Sequence, residues 1–88
     1  MDLKLAISMA GHDRKQIYVV IKEDDMYCYL VNGTTKLMTK PKKKKKIHLQ
    51  LIKNIPSDLL EEINDIKALD DISINRILKV YNRRNKNV

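Results

Sequence analysis

The chain has 88 residues, of which 43% are hydrophobic, so we expect one small domain with a modest core rather than a disordered chain. It carries 18 Lys or Arg against 11 Asp or Glu, and the net charge of +7 predicts an anionic partner. No apolar run approaches the roughly 20 residues of a membrane helix, and Asp2 and Lys4 near the start argue against a secretion signal. A single cysteine excludes an intramolecular disulfide framework and favours a reducing cytoplasm.

The positive charge is concentrated in the N-terminal part of the chain. Residues 1–53 hold 12 Lys or Arg and five Asp or Glu, whereas residues 54–88 hold six of each. Six acids lie between Asp58 and Asp71, and five bases lie between Arg76 and Lys86. We therefore predict two segments, 1–53 and 54–88. The acidic stretch is interpreted as a solvated surface, with a protein-docking face or an internal screen for the lysines as alternatives.

The first segment has the patterns of short β-strands. Apolar residues alternate over residues 3–7, and residues 17–21 are β-branched or aromatic throughout, which is typical of strands. Residues 26–31 predict a third strand. Asn32-Gly33 then predicts a tight hairpin, with residues 34–38 as the returning strand.

A run of six lysines and one proline occupies residues 40–46 and predicts an extended loop or an exposed sheet edge, because proline cannot donate to a ladder and like charges repel. Residues 47–52 alternate again and predict a fifth strand. Five short strands joined by tight turns indicate a small barrel or sandwich.

After Pro56 the hydrophobic period becomes helical. Two apolar faces predict two short helices, the first carrying Leu59, Leu60, Ile63 and Ile66, and the second carrying Ile74, Ile77, Leu78 and Tyr81. Asp58 with Glu61 predicts a capping box for the first helix, and Asp70 or Asp71 is the predicted cap of the second. Arg83, Arg84 and Lys86 suit the negative end of a helix dipole.

Residues 2–52 resemble the KOW-domain RNA-binding proteins of bacteria, which are similar to certain large-subunit ribosomal proteins. The matching pieces are SMAGHDR at 8–14, IYVV at 17–20, DDMY at 24–27, VNG at 31–33, KPK at 40–42 and IHLQ at 47–50. More weakly, residues 74–82 look like the family's C-terminal helix. The resemblance implies a mainly β fold with C-terminal α structure, namely an SH3-like five-stranded barrel followed by two short helices. It also implies RNA binding on or near the ribosome, without catalysis.

The loop between the first two strands carries part of this resemblance. Gly11 corresponds to the family's loop glycine, and Lys15 stands where the family commonly has a second glycine, so a positive φ there would cost Lys15 conformational energy. We interpret the loop as an RNA contact through Gly11, His12, Arg14 and Lys15, with Asp13 as a turn-former. The alternative is a plain turn.

The lysine run is the main candidate for binding chemistry. Extended residues rise about 3.3 Å each, so successive ammonium groups can follow a phosphate backbone. Lysine lacks the planar fork of arginine and therefore favours phosphate contact over base reading. The alternative is a solvated linker that maintains solubility.

Aromatic and sulfur side chains give further candidates. Tyr18, Tyr27 and Tyr29 are candidates for stacking on unpaired bases, although packing in the core or at a sheet edge is the commoner role of such tyrosines. Cys28 is predicted to be a small buried hydrophobe. If it faces inward, Tyr27 and Tyr29 share the opposite face of one strand.

Catalytic and metal sites are not predicted. His12, His48 and Cys28 lack the spacing of a zinc site, and residues 23–25 are interpreted as an acidic turn rather than a cation site. The sequence has no phosphate-binding glycine loop, nucleophile elbow or paired-carboxylate motif.

These observations predict a cytoplasmic, non-catalytic protein without a cofactor that binds RNA, with ribosomal RNA and ribosomal proteins as partners and neither a membrane nor a small-molecule substrate. The alternatives are a protein-interaction module, in which the barrel acts with a docking helix, and a DNA-binding KOW module. The predicted RNA-binding residues are Gly11, His12, Arg14, Lys15, Lys36, Lys40, Lys42, Lys43, Lys44, Lys45, Lys46 and His48.

Overall fold

A computed structural model describes residues 3–85, which form a five-stranded sheet followed by two helices. The elements are β1 (Lys4–Ser8), β2 (Ile17–Glu23), β3 (Tyr27–Val31), β4 (Lys42–Lys45), a 3-10 turn (Lys46–His48), β5 (Leu49–Leu51), α1 (Ser57–Asp65) and α2 (Asp71–Asn85). The ends of the predicted segments 1–53 and 54–88, including Lys86, lie outside the described residues.

The sheet is antiparallel throughout, with the strand order β4-β3-β2-β1-β5. It curls into a half-barrel, and the register between β2 and β3 shifts between Val20 and Lys22, where a bulge increases local bending. The predicted class, mainly β with two C-terminal helices, is confirmed at this level, as is the number of strands.

Both faces of the sheet are buried in part. On one face, Leu5, Val19 and Val31 pack against the helices through Leu59, Ile63, Ile74, Ile77, Leu78 and Tyr81. On the other face, a smaller cluster contains Ala6, Tyr18, Val20, Cys28 and Leu30. Alternate residues of β2 enter each cluster, so this strand is packed on both faces.

The fourth strand is not where the sequence pattern placed it. Residues 34–38 form bends and a turn, so the prediction of a returning strand there is wrong, and the lysine run itself supplies β4. The run pairs with β3 and lies at the edge of the sheet, which confirms the sheet-edge interpretation. A row of lysines at an edge also discourages pairing with another chain.

Asn32-Gly33 begins a loop instead of a two-residue hairpin. The Asn32 side-chain oxygen accepts hydrogen bonds from the backbone N–H groups of Thr34 at 3.0 Å and Lys36 at 2.8 Å. Such a side-chain-capped turn replaces the type I′ geometry, which requires positive φ at both central residues, whereas only Gly33 has it here. The predicted hairpin is therefore wrong.

The predicted fifth strand is shorter than expected. Ile47 and His48 belong to the 3-10 turn, and only Leu49–Leu51 pair with β1. The turn remains attached to the sheet, since the Met9 N–H donates to the His48 carbonyl at 2.8 Å.

Both predicted helices are present, but their caps differ. Pro56 precedes α1, and no side chain of residues 3–85 caps the first amides of this helix, so the Asp58–Glu61 capping box is wrong. Asp70 does cap α2, because its Oδ1 accepts the Ser73 N–H at 2.7 Å. Asp58 instead forms an ion pair with Arg84, near the far end of the antiparallel partner helix.

A second ion pair joins the helices, between Glu62 and Arg76 at 3.2 Å. These two members of the acidic stretch therefore pair with arginines of α2 and not with the lysine run. Within residues 3–85, no helix combines the length and apolar character needed to cross a membrane.

Candidate nucleic-acid interface

The lysine run is divided between the two faces of the sheet by the period of its strand. Side chains alternate along β4, so Lys42 and Lys44 point to one face while Lys43 and Lys45 point to the other. Lys42 and Lys44 are half-buried, whereas Lys43 and Lys45 are exposed. The five consecutive lysines at 42–46 are therefore not equivalent.

The inward lysines are neutralised by one carboxylate. Asp13 accepts hydrogen bonds from Lys44 at 2.7 Å on Oδ1 and from Lys42 at 2.9 Å on Oδ2. The Ser8 hydroxyl and the Tyr18 hydroxyl each donate to the same carboxylate at 2.9 Å. We call these five residues the Asp13 cluster. The Lys44 and Asp13 side chains are each only 12% exposed, so this charge is withdrawn from solvent.

The cluster sets the protonation of its members. Burial alone would raise the pKa of Asp13, but hydrogen bonds from Lys44, Lys42, Ser8 and Tyr18 outweigh it and hold that pKa well below its usual range. Burial, and then the hydrogen bond to Asp13, raise the pKa of the Tyr18 hydroxyl. Asp13 is therefore a carboxylate, and Tyr18 a neutral donor, across the physiological range.

This cluster brings together the two predicted RNA-binding segments. Asp13 and the Lys44 ammonium join the loop of residues 9–16 to β4. The Lys44 ammonium donates to Asp13 and also to the Ala10 carbonyl, at 2.8 Å. The sequence pattern indicated Asp13 only as a turn-former. Its carboxylate also pairs with Lys42 and Lys44, about 30 residues away, and so connects the loop to β4.

Lys46 is also paired with an acid. Its ammonium lies 3.4 Å from Glu23, and Lys4 forms an ion pair with the same carboxylate. The hydrogen bond from Lys4 lowers the pKa of Glu23, and Lys46 adds to that effect. The even-numbered lysines 42, 44 and 46 thus all have acidic partners.

The odd-numbered lysines have aromatic neighbours instead. Lys43 lies opposite Tyr29 and Lys45 opposite Tyr27 in the register of β3 and β4. The Lys43 ammonium is 4.3 Å from the centre of the Tyr27 ring, and Lys22 from β2 is 5.5 Å from the centre of the Tyr29 ring. Tyr27, Tyr29, Lys22, Lys43 and Lys45 together form what we call the tyrosine–lysine face.

The tyrosine–lysine face retains its positive charge. Within residues 3–85, no acidic side chain forms a salt bridge with Lys22, Lys43 or Lys45. Tyr29 is two residues from Val31, so both side chains point to the face of the sheet on which the helices pack. The helices cover Val31, but they leave the lysines of this face exposed. Cys28 points the opposite way and is buried, which confirms the prediction for this residue.

The four loop residues predicted to contact RNA are all accessible to solvent. Gly11, His12, Arg14 and Lys15 are exposed. Lys15 has φ of 74°, a backbone conformation that is unfavourable for residues with a Cβ. Its N–H donates to the Ser8 carbonyl at 2.7 Å. The Lys15 side chain lines a shallow cleft with Asn75 and Lys79 of α2, so it lies apart from β4.

The remaining predicted residues lie at two ends of β4. At the N-terminal end of β4, Lys36 and Lys40 line a shallow depression together with Lys42, the first residue of the strand. His48 is exposed in the 3-10 turn, after the strand. Lys22 was not among the predicted RNA-binding residues. Its position directly after the β-branched run of residues 17–21 could have indicated a basic side chain on the sheet.

No family model and no curated protein sequence matches the chain. Among residues 3–85, no three His, Cys, Asp or Glu side chains converge in a way that could hold a metal ion.

Proposed function

We propose that the chain is a non-catalytic RNA-binding protein associated with the ribosome or with translation, built on a KOW-type, SH3-like barrel. The motif resemblance of residues 2–52 and the curled five-stranded sheet support this assignment. The observation that carries it is the alternation of β4, which leaves Lys43 and Lys45 exposed beside two tyrosines, with no acidic partner among residues 3–85.

The binding mechanism is charge compensation on one face. Lys43, Lys45 and Lys22 contact phosphates and release the counterions condensed on the RNA, which makes affinity fall with rising salt. Lys42 and Lys44 hold the strand against the loop of residues 9–16 through Asp13 and contribute orientation rather than free charge. His12 and Arg14 are exposed on that loop, which Lys42 and Lys44 hold at the opposite face of β4, so they form a separate, secondary contact that RNA reaches around the edge of the strand.

The test is a charge-matched pair of double variants. We expect Lys43→Gln/Lys45→Gln to weaken binding of a labelled RNA hairpin with an unpaired loop by about tenfold or more at moderate salt. The slope of log affinity against log salt should flatten by about 1 to 2 units, since two phosphate contacts are lost. Fluorescence anisotropy over a salt series measures both.

The control Lys53→Gln/Lys67→Gln removes the same charge from two exposed sites away from β4. It should change affinity much less. Equal losses for the two double variants, or an affinity independent of salt, would contradict the proposal. A DNA hairpin of the same sequence tests the DNA-binding alternative, which predicts that DNA competes for the protein better than unlabelled RNA does.

A further inference from the structure

The tyrosine–lysine face has more than charge. Its two rings are only half-buried, although tyrosines of a small sheet commonly pack fully into the core, and an ammonium group lies near each ring. Tyr18 is different, since it is 3% exposed and its hydroxyl is bound by Asp13. Of the three tyrosines predicted as stacking candidates, the structure therefore leaves Tyr27 and Tyr29 for that role and places Tyr18 in the core.

The spacing of the two rings selects the form of nucleic acid. Tyr27 and Tyr29 are two residues apart on one strand, so their Cα atoms are separated by about 6.6 Å along it. Bases stacked in a duplex are about 3.4 Å apart, and their faces are covered by their neighbours. Rings at twice that spacing fit bases that are splayed apart, and only unpaired nucleotides present such bases.

The lysines fit the same ligand. Lys43 and Lys45 lie across from the two tyrosines on the neighbouring strand, and Lys22 lies across from Tyr29 on the other side. When a base lies on a tyrosine ring, the displaced ammonium group can move a few ångströms to the phosphate of the same nucleotide. Each ring thus has a cation within reach of the backbone that accompanies its base.

We propose that the tyrosine–lysine face binds two adjacent unpaired nucleotides of RNA, with one base stacked on Tyr27 and one on Tyr29. This inference rests on the proposed function and deepens it, since it specifies single-stranded segments as the substrate class. Recognition is tolerant of sequence, because every base has a π-face and lysine contacts phosphate rather than base edges.

The test compares a labelled single strand of about 12 nucleotides that lacks self-complementarity with the same strand in a duplex. The full chain should bind the single strand about tenfold or more tightly. Tyr27→Leu/Tyr29→Leu removes both rings and should lose roughly 30-fold or more in affinity for the single strand and little for the duplex. The matched variant Tyr27→Phe/Tyr29→Phe keeps the rings and should retain binding.

A second readout uses the unaltered protein, so it does not depend on the folding of any variant. The chain has four tyrosines and no tryptophan, and Tyr18 and Tyr81 are buried. Stacking of bases should therefore quench tyrosine emission on addition of the single strand but not of the duplex. Equal affinity for both forms without quenching would overturn the stacking inference while leaving the proposed function in place. If neither RNA binds, the proposed function fails as well.

Discussion

The Asp13 side chain joins distant parts of the chain, because its two carboxylate oxygens accept four hydrogen bonds. Two of the donors are lysines whose charges would otherwise repel each other at alternate positions of one strand. Without a counterion, a lysine that is 12% exposed would be a buried unpaired charge. The carboxylate therefore stabilises a strand that would otherwise carry two unpaired lysines on its inner face.

Asp13→Asn should lower the free energy of unfolding at pH 7 by about 2 to 4 kcal/mol, since the amide cannot neutralise Lys42 and Lys44. The effect should depend on pH. The pKa of Asp13 is lower in the folded than in the unfolded chain, so its stabilisation is complete above the unfolded value of about 3.9 and is lost as pH falls below it. Urea unfolding followed by circular dichroism at pH 7 and pH 3 measures this.

The control for this change is Asp25→Asn, which alters the same charge at an exposed turn position. It should change stability by less than about 0.5 kcal/mol. If the two variants were equally stable, or if the difference between Asp13→Asn and the native chain did not shrink in acid, the Asp13 cluster would not have the role assigned to it.

At the scale of elements, the loop after β3 packs directly on the first turn of α2, and each holds the other in place. Gly33 has φ of 77°, and a Cβ built on it would lie 2.2 Å from the Asp71 carbonyl oxygen and 2.8 Å from the Asn75 nitrogen. Asp71 in turn accepts the Met38 N–H at 2.9 Å. The first turn of α2 therefore packs on this loop so closely that no side chain fits.

Gly33→Ala should destabilise the fold by about 2 to 4 kcal/mol, from the left-handed backbone and from the clash with α2. Gly11→Ala is the matched control. Gly11 has a similar φ of 86°, but its nearest neighbours would be side-chain atoms at 3.6 and 3.7 Å, so only the backbone cost of about 1 kcal/mol applies. Thermal unfolding of both variants measures the difference, and similar losses would contradict close packing at Gly33.

The same loop shows what sequence patterns could predict and what they could not. β1, β2, β3 and the apolar face of α2 followed from hydrophobic periodicity, which reflects burial directly. The hairpin at Asn32-Gly33 failed because the glycine there serves a contact with a helix about 40 residues later. The predicted capping box of α1 failed because Pro56 occupies the N-cap position and Asp58 pairs with Arg84 across the helix pair.

The candidate site was predictable to a similar extent. The lysine run was apparent in the sequence, and once it is taken as a strand the division into odd and even lysines follows from the period of two. Its acidic partners were not predictable, because Asp13 and Glu23 lie in other parts of the chain and meet the lysines only through sheet pairing. Long-range pairing of charges leaves no local signal.

At the scale of the whole molecule, the structure separates a scaffold from a binding surface. The helices and three strands share one apolar cluster, so residues 54–85 complete the core of the sheet. Acidic partners neutralise three lysines of the run, and exposed ion pairs join the helices. On β4, the lysines that have no acidic partner within the described part of the chain, Lys43 and Lys45, lie beside Tyr27 and Tyr29.

The location of the RNA contact is tested most directly by titrating the 15N-labelled chain with a single-stranded RNA and recording amide correlation spectra. The account predicts that the largest shift changes fall on β3, β4 and residue Lys22, with smaller changes in the loop of residues 9–16 and almost none in α1. Changes centred on α1 and α2, or spread evenly over the exposed lysines, would contradict it.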